Sequence, residues 1–144
     1  MSLFQNDILA NQTVLSNQNH HVILCDKANK YTSQPIMAPF SGMVVEKQGV
    51  KPICGIKCGD FTFYWINRSI VNKKSLKSVS KGDIIGSTYM LGDIINKDLT
   101  QGVEVWLEKN GETVDIIPYL LRRDKTEIKV TKTRKKKVTE DTEE

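Results

Sequence analysis

Between Val22 and Leu121 the chain never sustains a helical period, and short β-branched and aromatic runs follow one another, separated by turn-forming residues. The runs are His21–Cys25, Ile36–Met37, Gly42–Glu46, Ile53–Ile56, Phe61–Ile66, Asp83–Gly86, Val103–Leu107 and Thr113–Ile117. Short strands joined by Gly and Asn turns predict an all-β domain, a compact barrel or sandwich. In the run Phe61–Ile66, Phe61, Phe63 and Trp65 alternate with Thr62, Tyr64 and Ile66, which predicts burial on both faces. Glu108-Lys-Asn-Gly111 signals a hairpin, because Asn-Gly accepts the positive φ angles of a tight turn.

The flanks read differently. Residues 1–19 are rich in Asn, Gln and Ser with scattered apolar positions (Leu3, Phe4, Ile8, Leu9, Val14, Leu15), which predicts an extended N-terminal arm with at most one short helix or strand. Residues 20–121 form the expected β-domain, and residues 122–144 are expected to be a flexible charged tail with too little apolar surface to offset ordering entropy. Of the net charge of +4, a surplus of three lies from Arg122 onward, where nine Lys/Arg meet six Asp/Glu. The body is therefore close to neutral. The basic cluster Arg134–Lys137 is followed at once by Glu140, Asp141, Glu143 and Glu144, with no aromatic residue nearby to stack on a base. Nucleic acid is thus disfavoured, and the tail is expected to be solvated or to order on a partner subunit.

No apolar run approaches the roughly 20 residues of a membrane helix. Met1–Asp7 lacks the basic and apolar regions of a secretory signal, so the expectation is synthesis in the cytoplasm without a signal peptide. Three cysteines, Cys25, Cys54 and Cys58, make no disulfide framework, and Cys54-Gly-Ile-Lys-Cys58 lacks a second Cys/His pair to complete a metal knuckle. They are expected to be reduced, mostly buried thiols.

Three stretches in order resemble lysostaphin-type (LytM-like) zinc endopeptidases. These are Pro35-Ile-Met-Ala-Pro-Phe-Ser-Gly-Met-Val-Val45, then Phe63–Val71 with Val79-Ser-Lys-Gly-Asp-Ile-Ile-Gly86, then Val103-Glu-Val-Trp-Leu-Glu-Lys-Asn-Gly-Glu-Thr-Val-Asp-Ile-Ile-Pro-Tyr-Leu120. Together they span roughly residues 20 to 121. The Ala-Pro-x-x-Gly-x-Val of Ala38–Val44 with the Val-x-x-Gly-Asp of Val79–Asp83 also occurs in biotinyl and lipoyl carrier domains of related barrel-sandwich topology, but the third stretch separates the families. The resemblance implies a peptidase-like β-domain of the barrel-sandwich hybrid type.

It also implies what the site should contain. Family enzymes hold zinc with a His and an Asp of an early H-x-x-x-D and the second His of a late H-x-H, whose i, i+2 spacing puts both imidazoles on one strand face. The first His of that pair and a middle-strand His serve the water and the transition state. Matching Glu104-Val105 to the family places the late pair at Thr100 and Gly102 and the middle His at Ile66. The early pair has residual candidates in His20, His21 and Asp26, but His21 to Asp26 is five residues where the family has four, and the family's His falls nearer Val22 or Ile23. No Ser/His/Asp or Cys/His nucleophile set assembles, since His21 and Cys25 on one strand lie roughly 13 Å apart.

The expectation is therefore no catalytic residues, no metal and no cofactor. The function expected is a structural or interaction protein, most specifically a virion component at a phage tail tip, baseplate or hub, with other protein subunits as partners. The alternatives are a domain that binds cell-wall peptide or glycan or regulates a hydrolase, and a residual zinc endopeptidase.

Overall fold

The computed structural model describes residues 3–68, 77–91 and 100–120. Strands dominate these residues: β1 (Thr13–Gln18), β2 (His21–Cys25), β3 (Pro35–Met37), β4 (Gly42–Lys47), β5 (Ile53–Cys58), β6 (Phe61–Ile66), β7 (Ser78–Val79), β8 (Ile84–Ser87), β9 (Tyr89–Met90), β10 (Gln101–Lys109) and β11 (Glu112–Val114). Two one-turn 3-10 helices, Lys27–Asn29 and Ile117–Tyr119, complete the regular elements described. The all-β expectation is met.

Nine strands form one antiparallel sheet in the order β1-β2-β10-β6-β5-β4-β7, with β9 and β11 also paired to β10; β3 and β8 form a separate two-stranded ribbon. β10 is the axis of the sheet. β2 pairs with its first half (Val103↔Leu24, Val105↔Val22), and β6 with its second half (Val105↔Trp65 to Lys109↔Phe61). Period-2 alternation then divides the side chains. Val22, Leu24, Cys54, Ile56, Phe63, Trp65, Val103, Val105 and Leu107 face inward and are nearly inaccessible. Ile36, Ala38 and Ile85 from the β3–β8 ribbon and its flank belong to the same core cluster. The Asn110–Gly111 turn forms as the dipeptide predicts, with φ of 53° and 86°. Burial of β6 on both faces also holds, with Thr62 and Ile66 on one and Phe63 and Trp65 on the other.

The segment expected as an arm is fixed to this body over residues 3–18. Phe4, Ile8 and Leu9 are at most 1% exposed, and Phe4 packs edge-on against Phe40 and Phe63. Backbone bonds from Gln5 and Asn6 to the Pro39 carbonyl, and from Met37 to the Ile8 carbonyl, secure the path. Apolar residues spaced irregularly through a polar stretch give no strand or helix period, so their burial is invisible until the core they fill exists. The tail expected over 122–144, including Arg134–Lys137, lies outside the described residues. Cys25 and Cys54 are buried and Cys58 is exposed, all as free thiols.

Candidate functional site

The sheet's second face collects the positions that the lysostaphin-type resemblance singles out. Because Val22, Leu24, Trp65, Val103 and Val105 point into the core, His21, Ile23, Ile66, Gly102 and Glu104 point to the other side. Ile23 is 9% exposed and Ile66 3%, and Thr100, just before β10, is 6% exposed. Three side chains that bind no metal well thus occupy this face beside a glycine.

The backbone around Gly102 decides what could stand there. Gly102 pairs with Tyr89 of β9, and Leu91 N–H donates to the Thr100 carbonyl at 2.8 Å, folding Leu91 over the strand. A Cβ at Gly102 would lie 2.6 Å from Leu91 Cδ1 and 2.7 Å from the Leu24 carbonyl oxygen. Both are well inside van der Waals contact, and the second neighbour is main chain that cannot swing aside. No side chain of any size fits at Gly102 without moving β2 or β10.

The early candidates are dispersed. His20, with φ 68°, forms the tight β1–β2 turn with Asn19 and is exposed. Asp26 is 2% exposed and caps the Lys27–Asn29 turn: its Oδ1 accepts from Ala28 N–H (3.1 Å) and Asn29 N–H (3.2 Å), and its Oδ2 from Asn29 Nδ2 (3.1 Å). Its carboxylate is committed to the loop in the manner of an N-cap. His21 lies on the second face, but its Nδ1 bonds Glu104 Oε2 at 2.8 Å and its ring stacks on Trp106 at 4.3 Å. Among the described residues no three His, Cys, Asp or Glu side chains converge as a metal site would require.

What the face does hold is a row of rings. His21, Trp106 and Tyr64 are cross-strand neighbours on β2, β10 and β6, with Trp106 to Tyr64 at 5.6 Å. Lys47 Nζ lies 4.7 Å over the Tyr64 ring and bonds Glu108 Oε2 at 2.7 Å, and that carboxylate raises the lysine's pKa. Tyr89 bridges a gap in the sheet: β6 leaves β10 after Val105 and β9 joins only at Gly102, so the Glu104 N–H between them donates to the Tyr89 hydroxyl at 3.0 Å. Burial pushes the Tyr89 phenol up to about 12. Sequence reasoning missed Tyr64, Tyr89, Glu104, Trp106 and Glu108 as a set; the alternation Glu104, Trp106, Glu108 along β10 is the signal that places three of them on one face. Beside this row a recess of about 370 Å³ opens between Ser16, Gln18, Asn19, His21, Ile23 and Glu104.

The fold has known counterparts. A chain of the SpoIIQ–SpoIIIAH pore-forming complex superposes with a TM-score of 0.62 at 14% identity, over 83% of this chain and 92% of that one. A peptidase M23 structure from Pseudomonas aeruginosa gives 0.58 at 17% identity, over 82% and 52%. The M23 metalloprotease pseudoalterin gives 0.54 at 11% identity, over 80% and 76%. The fold is that of M23 peptidases. The lysostaphin-type resemblance of the sequence therefore extends to the tertiary structure. At the level of sequence, no family model and no curated protein matches. No helix among the described residues is long and apolar enough to cross a membrane.

Proposed function

We propose that this chain is a non-catalytic structural or interaction protein that uses an M23-type fold to hold other protein subunits. The observation that carries this reading is the occupied space at Gly102. The strand position where the family presents a zinc-binding imidazole has Leu91 and the Leu24 carbonyl within 2.7 Å of any side chain's first carbon. Thr100 and Ile66 at the other two aligned positions add no strong ligand, and Asp26 is spent on its loop. A catalytic zinc needs three protein ligands and an open coordination position, and among the described residues no three His, Cys, Asp or Glu side chains come together to provide them. The likeness to a chain of a SpoIIQ–SpoIIIAH complex supports the use of such a fold in protein assembly.

The more specific assignment is a virion component, at a phage tail tip, baseplate or hub. Its support is the family resemblance, since lysostaphin-type domains are familiar parts of such particles, and this is an argument by analogy. Mass spectrometry of purified particles from the producing host tests it: the chain should copurify at a fixed ratio to tail proteins, and its absence from particles refutes the assignment.

Zinc analysis of the purified protein together with a peptidoglycan-hydrolysis assay tests the non-catalytic reading. Stoichiometric, tightly held zinc lost on His21→Ala, or turnover of peptidoglycan, refutes it. A second reading, binding of cell-wall peptide or glycan, draws on the polar recess around Ser16, Gln18, Asn19 and Glu104. Cosedimentation with sacculi separates the two: retention that is lost on Glu104→Gln favours wall binding, and no retention favours assembly.

A further inference from the structure

β1 forms one end of the nine-stranded sheet, and among the described residues nothing pairs with its outer edge. Folded proteins usually protect such an edge with charge, proline or a bulge. Thr13-Val-Leu-Ser-Asn-Gln18 has no charged residue and no proline, and its one irregularity falls between Val14 and Ser16. Ser16–Gln18 is left regular and becomes more exposed towards the turn. The Asn19–His20 turn fixes which groups are free. A two-residue turn with both φ positive closes on a hydrogen-bonded pair, here Gln18 with His21, so the next residue, Asn17, directs its N–H and C=O away from β2.

The recess described above opens on this edge. Ser16 and Gln18, on one face of β1, line it together with His21, Ile23 and Glu104. A strand added along Asn17 would set alternate side chains beside Ser16 and Gln18, where the Glu104 carboxylate supplies the negative charge. A lysine there would share that carboxylate with His21, which bonds its Oε2.

The sequence contains a segment of this character. Thr126-Glu-Ile-Lys-Val-Thr-Lys-Thr133, outside the described residues, has neither Gly nor Pro, and the alternation of its residues would put Ile128 and Val130 on one side of an added strand and Lys129 on the other. We propose that residues 126–133 of one copy add as a strand to β1 of the next copy, with Lys129 seated in the recess beside Glu104. The junction is head-to-tail, so repetition builds a ring or a filament. The proposal deepens the reading of the chain as an assembling protein and rests on that reading only for its setting.

Sedimentation of the full chain over a range of concentrations tests it. The wild-type chain self-associates, whereas Asn17→Pro, which removes the outward N–H of the edge, and Val130→Pro, which breaks the added strand, are each monomeric. An equimolar mixture of the two variants forms a dimer and nothing larger, because one intact edge and one intact segment remain; a circular dichroism spectrum and thermal melt of each variant that match the wild type show that both are folded. Glu104→Gln weakens the junction about three- to tenfold. A wild-type chain that stays monomeric at every concentration, association that survives Asn17→Pro, or a mixture that stays monomeric overturns the proposal. Zinc content and hydrolysis are read independently, so failure here is distinct from failure of the non-catalytic reading.

Discussion

Gly102 and Leu91 contend for one volume: a first side-chain carbon on Gly102 would sit 2.6 Å from Leu91 Cδ1, with the Leu24 carbonyl 2.7 Å away on the neighbouring strand. Gly102→Ala is therefore expected to destabilise the protein by about 2–3 kcal/mol, the overpacking range for a site where main chain must shift. Urea denaturation measures it. Measured in a Leu91→Ala background, the cost of Gly102→Ala falls only in part, because the Leu24 carbonyl remains; a cost of zero in that background contradicts the account. Gly102→His is expected to lose stability without gaining zinc.

Asp26 separates a capping role from a ligand role. Asp26→Ala removes the acceptor for two backbone N–H groups and the Asn29 side chain, and about 1–2 kcal/mol of stability should go with it. Asp26→Asn keeps one acceptor oxygen and should retain more than half of that. Zinc content should not respond to either change.

Tyr89 gives the fold an alkaline limit. Its folded pKa of about 12 stands above the ordinary tyrosine value of 10.0 because burial disfavours the phenolate. Between those values the folded state holds a proton that the unfolded state has released, so stability is fully present below about pH 10 and falls as pH rises towards 12, by up to about 2 kcal/mol. Tyr89→Phe should remove this contribution to the alkaline loss. It should also cost about 1–2 kcal/mol at neutral pH, because the Glu104 N–H loses its acceptor. Thermal melts of both proteins from pH 8 to 11 compare the slopes.

Phe4 tests whether the N-terminal segment belongs to the core. Its ring contacts Phe40, Phe63 and Tyr119, so Phe4→Ala is expected to destabilise by about 3–4 kcal/mol. An effect below about 1 kcal/mol would mean that the segment is an appendage after all.

The strands were legible in the sequence because their signal is local. Period-2 runs such as Phe61–Ile66 and Val103–Leu107, and the Asn110–Gly111 turn, are fixed by side-chain alternation and by backbone angles that few residues accept. Residues that bind zinc poorly at Thr100, Gly102 and Ile66 were likewise readable from residue identity against a resembling family. Three things were not readable. Phe4, Ile8 and Leu9 have no periodicity among their polar neighbours, and their burial depends on a core assembled from distant strands. The row His21, Trp106, Tyr64 and Lys47 exists only because β2, β10, β6 and β4 come together in a particular register. The sequence alone determined that position 102 carries no ligand atom; only the tertiary structure, by bringing Leu91 and the Leu24 carbonyl against it, decided that none could be accommodated there.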